Sequence, residues 1–140
     1  MRVENAYAAG LIDGEGSISL CRHKSNEQRS PLVSVPSCTR ELVNWLKSVF
    51  GGNISTKRTY KKNHSKSYTW SAHYDSCLSF LILVLPFMKE PEKIRRAEML
   101  VKEYKKITAP NGKYTKNGLE LKREFEKRFF KNTRRRLRLA

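Results

Sequence analysis

The chain has 140 residues, enough for one compact domain with a real core but not comfortably for two. Hydrophobic residues make up 39% and charged residues 30%, as in ordinary soluble proteins, but 29 Lys and Arg stand against 13 Asp and Glu, a net charge of +16. Such an excess repels itself unless a polyanion is the partner, which puts nucleic acid first and an anionic membrane surface second.

Val3 to Ile12 is rich in helix formers, with a small-residue surface at Ala6, Ala8, Ala9 and Gly10, and the glycines at 10, 14 and 16 break it. Ser17 to His23 alternates as a strand, with Ile18 and Leu20 on one face and Ser17, Ser19, Cys21 and His23 on the other. After a polar turn to Pro31, Leu32 to Val35 forms a second strand with Val33 and Val35 inward and Ser34 outward. Pro36 to Thr39 opens a helix capped by Ser37 or Thr39, whose buried stripe is Leu42, Val43, Trp45, Leu46, Val49 and Phe50. Gly51 and Gly52 stop it. A third strand covers Asn53 to Tyr60 with Ile54 inward. A basic turn around Asn63 leads to a fourth, Ser67 to Tyr74, with Tyr68, Trp70 and Ala72 against Ser67, Thr69, Ser71 and His73. Asp75 caps a helix that Pro86 ends. Pro91 starts another, to about Ile107, and Thr115 caps a last one to about Lys131. Residues 1–131 thus form a single domain, and 132–140 a basic tail with Arg134, Arg135, Arg136 and Arg138.

This order predicts an α+β fold, αββαββα with an additional C-terminal helix, in which four hairpin-joined strands make an antiparallel sheet covered by helices on one face. The uncovered face is unusually polar, and the charge makes it a nucleic-acid face. A two-stranded ribbon fits the DNA major groove. Its predicted contacts are Ser19, Cys21, His23, Ser34, Ser55, Lys57, Thr69, Ser71 and His73, with Asn26, Gln28 and Arg29 on the first hairpin and Lys61 and Lys62 on the second.

No run approaches the ~18 apolar residues of a membrane span; the most apolar, Leu78 to Met88, is short and interrupted by Pro86. No charged-then-apolar export pattern stands at the N-terminus, so an intracellular protein is expected, with prokaryotic cytoplasm and organelle not distinguished. Cys21, Cys38 and Cys77 suit a reducing interior, and neither they nor His23, His64 and His73 have zinc-ligand spacing.

Residues 8 to 16, Ala-Ala-Gly-Leu-Ile-Asp-Gly-Glu-Gly, resemble the LAGLIDADG motif of homing endonucleases. Supporting matches are Tyr7 before the motif, Ser17-Ile18 after it, Ser37 to Leu42 leading to Phe50-Gly51-Gly52, Tyr68-x-Trp70, and Leu85-Pro86-Phe87 before a basic helix. They cover nearly the whole chain in the family's own order. The resemblance implies a four-stranded saddle-like sheet and a metal-dependent, intron-encoded, site-specific endonuclease acting on double-stranded DNA. Glu15 takes the place of the metal-binding acid, assisted by the Gly14 carbonyl. The metal implied is Mg²⁺ or Mn²⁺, with Ca²⁺ binding without supporting cleavage. Asp13 is read as shaping the helix end. Lys93, counted back from Ala97, or Lys89, counted forward from Pro86, takes the place of a catalytic lysine, and Arg95 or Arg96 could share that role.

One motif and one acid per chain are too few for a paired-metal site. The resemblance therefore implies a homodimer whose motif helices pack across a two-fold axis through Ala6, Ala9, Gly10 and Asp13, reading a near-palindromic DNA site. Two positions depart from the family's name: Ala8 replaces a leucine, with Tyr7 available to fill the space, and Glu15 replaces an aspartate. Two other readings share the fold: an RNA-binding intron maturase and a DNA-binding protein that does not cut.

Overall fold

The computed structural model describes residues 2–22, 28–57, 66–108 and 114–131. Helix α1 (Arg2–Gly14) leads into strand β1 (Ser17–Cys21) and β2 (Ser30–Ser37), then α2 (Arg40–Phe50), β3 (Asn53–Lys57) and β4 (Ser67–His73). Helix α3 (Tyr74–Val84), a 3-10 turn (Leu85–Phe87), α4 (Pro91–Ile107) and α5 (Lys116–Phe130) complete the chain. The strands form one antiparallel sheet in the order β1-β2-β4-β3. The predicted α+β order is the observed one.

The sheet has a dry face and a polar face, because its strands alternate in register. Ile18 pairs with Val33, Val33 with Ala72, and Val35 with Trp70, and all five are buried. Helices α1, α2 and α3 lie on this face and add Ala8, Ala9, Ile12, Val43, Leu46, Phe80 and Leu81 to the core. Apolar side chains leave water there at roughly 25 cal/mol per Å² buried, the main source of stability. Trp70 anchors the centre. Its ring lies 4.9 Å from that of Phe80, and its Nε1 donates to the Gly51 carbonyl at 2.8 Å. Gly52, at φ +89°, has room for no side chain: a Cβ would sit 2.6 Å from the Ser71 carbonyl oxygen.

Helices α4 and α5 close the β1 edge of the sheet. The outward-facing Ile18 carbonyl accepts from Arg96, and the Leu20 carbonyl from Arg29, so two arginines occupy an edge that could otherwise pair with another strand. Arg95 satisfies the Arg128, Phe129 and Lys131 carbonyls at the end of α5, where a cation opposes the helix dipole.

Several boundaries differ from the sequence reading. Strand β2 extends beyond Leu32–Val35 at both ends, with Pro31 and Pro36 each one residue in from a terminus, where a missing N–H costs little. Asp75 is not a cap. Strand β4 runs to His73, and the turn into α3 is absorbed at Tyr74, whose φ is +49°. Thr39 is at the cap position of α2 without a side-chain bond, while Ser37 Oγ accepts from the Thr39 amide at 2.9 Å. Val49 is not in the buried stripe but 36% exposed. Tyr7 fills no gap left by Ala8: it lies 55% exposed, edge-on to Trp45 at 5.1 Å. Thr115 caps α5 as expected, accepting from the Gly118 amide at 3.0 Å.

Candidate nucleic-acid interface and the foot of the first helix

The polar sheet face is assembled from alternate residues of all four strands. Ser17 stands opposite Ser34, Ser34 opposite Ser71, Ser71 opposite Asn53, and Thr69 opposite Ser55. Ser19, Cys21 and His73 join it by register, with Leu32 and Pro36 of β2 between them, and the backbone of Lys57 pairs with Ser67 at the end of β3. The structure therefore brings Ser19, Cys21, Ser34, Ser55, Thr69, Ser71 and His73 onto one surface, half-buried apart from the exposed Ser55. Its side chains are short and rich in hydroxyls, each able to donate and accept; Ser17 and Ser34 bond each other at 2.9 Å. Gln28 is exposed. Arg29, expected among the DNA contacts of the first hairpin, has partners within the chain. It is held at the β1 edge by the Leu20 carbonyl, 4.0 Å from Glu126 and 5.2 Å from the Phe130 ring centre. His23, Asn26, Lys61 and Lys62 lie outside the described residues, as does the tail 132–140.

The motif residues form the last turn of α1 and the bend into β1. The Leu11 carbonyl accepts from the Glu15 and Gly16 amides at 2.8 and 3.0 Å, which closes the helix. Gly16 is buried against that turn: a Cβ would come within 2.7 Å of Ile12 Cα, so only glycine lets the chain turn there. Glu15, one residue earlier, projects from the fold and is exposed.

The start of α4 packs against this turn. Asp13 accepts from the Lys89 and Glu90 amides at 2.8 and 3.1 Å, so it joins two segments more than seventy residues apart. Glu90 caps α4 by accepting from the Lys93 amide at 2.7 Å. Lys93 Nζ then reaches back to donate to the Ile12 and Asp13 carbonyls, 2.9 Å each. Lys89 is exposed, and its backbone rather than its ammonium meets the motif. Beside these groups is an open cleft of about 390 Å³, lined by Asp13, Ser17, Glu90, Glu92, Lys93 and Arg96. Arg96 is set by the Ile18 carbonyl and by the Phe129 ring, 4.9 Å from its guanidinium carbon.

The outward face of α1 holds two of the four residues expected there, Ala6 and Gly10, while Asp13 turns to the Lys89 and Glu90 amides. Ala9 is fully buried in the chain's own core and is unavailable to a second helix. The exposed line runs through Val3, Tyr7, Gly10 and Gly14, spaced by four, three and four residues, with Ala6 beside it one turn before Gly10. Val3 is 80% exposed. Neither Gly10 nor Gly14 is required by its own chain, because a Cβ at either meets nothing within 4 Å.

One charged residue escaped the sequence reading. Lys122 is 1% exposed, with Nζ 3.0 Å from Tyr104 Oη and 3.2 Å from Tyr114 Oη, and 4.2 Å from the Tyr104 ring centre. Its position three residues before Phe125 and seven before Phe129, both buried, is the available signal.

Among the described residues, no group of three or more His, Cys, Asp or Glu is placed to hold a metal ion. No helix of the described residues is long and apolar enough to cross a membrane.

No family model and no curated protein sequence matches the chain. Solved structures do resemble it. The homing endonuclease I-CvuI, solved on its target in the presence of calcium, is 17% identical with a TM-score of 0.69, over 91% of this chain and 80% of that one. The archaeal intron-encoded homing endonuclease I-Vdi141I, complexed with DNA, is 20% identical with a TM-score of 0.58, over 91% and 82%. The I-SmaMI LAGLIDADG homing endonuclease bound to cleaved DNA is 22% identical with a TM-score of 0.59, over 83% of this chain and 40% of that one. These likenesses extend over 83–91% of the chain, four-stranded antiparallel sheet and helices included: the chain has the LAGLIDADG homing endonuclease fold.

Proposed function

We propose that the chain is a member of the LAGLIDADG family and a site-specific double-stranded DNA endonuclease, active as a homodimer. The observation that carries this reading is the exposed face of α1. It holds two glycines that the single chain does not need and ends at an exposed carboxylate, Glu15. Glycine inside a helix costs about 1 kcal/mol relative to alanine. Gly10 carries that cost without a steric reason inside the chain, which fits a close approach from outside, most simply by the same face of a second copy. Two-fold packing along Ala6, Gly10 and Gly14 would bring two Glu15 carboxylates and two Gly14 carbonyls to one point.

That donor set fits a hard divalent cation, Mg²⁺ or Mn²⁺, which takes oxygen ligands. One chain alone lacks such a cluster among its described residues, so the pairing would also complete the site. The bound cation would supply activation of water and charge neutralisation in phosphodiester hydrolysis. The chain's own residues have separate tasks. The polar sheet face, through Ser19, Ser34, Ser55, Thr69 and Ser71, contacts base edges in the major groove. Lys93, fixed at the foot of α1, places a positive charge where the phosphate gains negative charge. The net charge of +16 supplies the affinity for phosphates.

The test offers the protein a randomised duplex library with Mg²⁺ and compares wild type with Glu15→Gln. Wild type should select and cut a near-palindromic site, and the variant should bind that site without cutting. Wild type that binds a defined duplex yet never cuts it would refute the enzyme reading and favour the non-cutting DNA-binding alternative.

A further inference from the structure

Asp13 lies in the motif next to the residues given catalytic roles, yet its carboxylate oxygens face protein amides. Four contacts close a ring around it. Its two oxygens hold the Lys89 and Glu90 amides, Glu90 Oε2 holds the Lys93 amide, and Lys93 Nζ returns to the Asp13 carbonyl. The ring joins the end of one helix to the start of another, and an aspartate accepting backbone N–H groups at a helix start is a strong, short, charge-assisted contact. Lysine carries three donors. Two of those on Lys93 go to the Ile12 and Asp13 carbonyls, which leaves one for an anion at the end of α1. The flexible stem of a lysine does not by itself hold an ammonium in one place. Here the geometry of the ring does.

We propose that Asp13 is a positioning residue: by holding the Lys89 and Glu90 amides it fixes the start of α4 against the end of α1, and so keeps the Lys93 ammonium on the Ile12 and Asp13 carbonyls at the foot of that helix. The clasp is a property of the single folded chain. Only the task of Lys93 rests on the cleavage reading proposed above. The clasp also distinguishes the two lysines that chain spacing left open, since Lys93 is held at the motif by its ammonium and Lys89 only by its backbone.

Two measurements test it. The first needs no DNA: amine acylation of the full chain, followed peptide by peptide, for wild type, Asp13→Ala and Asp13→Asn, with thermal unfolding of each. Lys93 should label roughly tenfold more slowly than Lys89 in wild type, and Asp13→Ala should remove most of that protection while the fold persists. Asp13→Asn, which keeps one oxygen acceptor, should fall between the two and provides the reading if the alanine variant does not fold. Unchanged protection of Lys93 in a folded variant would overturn the proposal. The second is single-turnover cleavage of a duplex selected by wild type from the randomised library. Asp13→Ala should cut about tenfold more slowly with its DNA affinity retained, and should lose nothing further when Lys93→Met is already present. Additive losses would mean that Asp13 does not act through Lys93, and would overturn the proposal. If Lys93 is deprotected as expected but wild type cuts no DNA, the clasp stands and the endonuclease reading fails.

Discussion

Replacing Gly10 with alanine should act in opposite directions on the folding of one chain and on the association of two. Within the chain, the added Cβ meets nothing within 4 Å, so the fold tolerates it without strain. Alanine is the better helix former by about 0.8–1.0 kcal/mol, and the monomer should gain roughly that amount. Across a two-fold contact between α1 helices the same methyl enters a packed surface, where extra volume costs typically about 1–3 kcal/mol. Symmetry applies the cost twice, giving about 2–6 kcal/mol per dimer, and each 1.4 kcal/mol is about tenfold in affinity. The propensity gain is present in both the free and the paired chain, so it cancels from the dimerisation constant. Sedimentation over a concentration series should therefore show a dimer Kd raised at least about 30-fold, while denaturant unfolding at concentrations below that Kd shows a more stable chain. A dimer that is unchanged or tighter with alanine would refute the argument from the unneeded glycine, and with it the placement of the two-fold axis on this face.

Three further outcomes follow from buried and charged groups. Burial pushes the Cys77 thiol up from 9.0 to about 12, with Cys21 adding to it. The unfolded chain loses this proton near pH 9 while the folded chain keeps it, so stability attributable to Cys77 is complete below pH 9 and declines toward pH 12 at up to about 1.4 kcal/mol per unit. Urea unfolding of wild type against Cys77→Ala at pH 8 and pH 10 should show the gap between them shrinking at the higher pH. Lys122 is surrounded by hydroxyls and rings, so Lys122→Met, which removes a costly desolvated cation but keeps the volume, should leave stability within about 1 kcal/mol of wild type or raise it. A large loss in thermal unfolding would show that the ammonium holds α5 in place. DNA affinity should fall steeply with salt, by about 0.9 in log K per unit of log salt for each phosphate neutralised, and a flat filter-binding profile would remove the phosphate-face argument.

The parts of the fold visible in the sequence are those with a short repeat. Ile18, Leu20, Val33, Val35, Trp70 and Ala72 could be assigned to the dry face because strand alternation has a period of two and needs no knowledge of partners. The helical face of α1 was harder. Ala6 and Ala9 are chemically identical, and apolar or small residues surround the helix, so only the packing of α3 and the sheet decides that Ala9 turns inward and Ala6 outward. Contacts between distant residues left no local trace at all. The clasp on Asp13 joins positions 76 and 77 residues apart, and Arg96 finds the Ile18 carbonyl across 78. Lys122 was overlooked for the opposite reason: its spacing marked it as core, but its charge argued against burial, and three hydroxyls outweighed the charge.

The glycines of the motif share one residue type and answer to different partners. Gly16 is demanded from within, since any side chain would strike Ile12, and its substitution should damage the isolated chain. Gly10 and Gly14 face outward over empty space, and the isolated chain should accept alanine at both. Between Gly14 and Gly16 stands the exposed Glu15, and just before Gly14 stands Asp13, turned back into the protein on two amides. Nine consecutive residues thus separate into those that make the turn, those that hold α4 against it, and those that leave a bare helix face with a carboxylate at its end. Only the last set has no function inside one chain. If a second copy does not cover that face, Gly10 is left inside a helix with no steric reason for it. For that reason the association of the chain, measured before any activity, is the sharper test of what the motif is for.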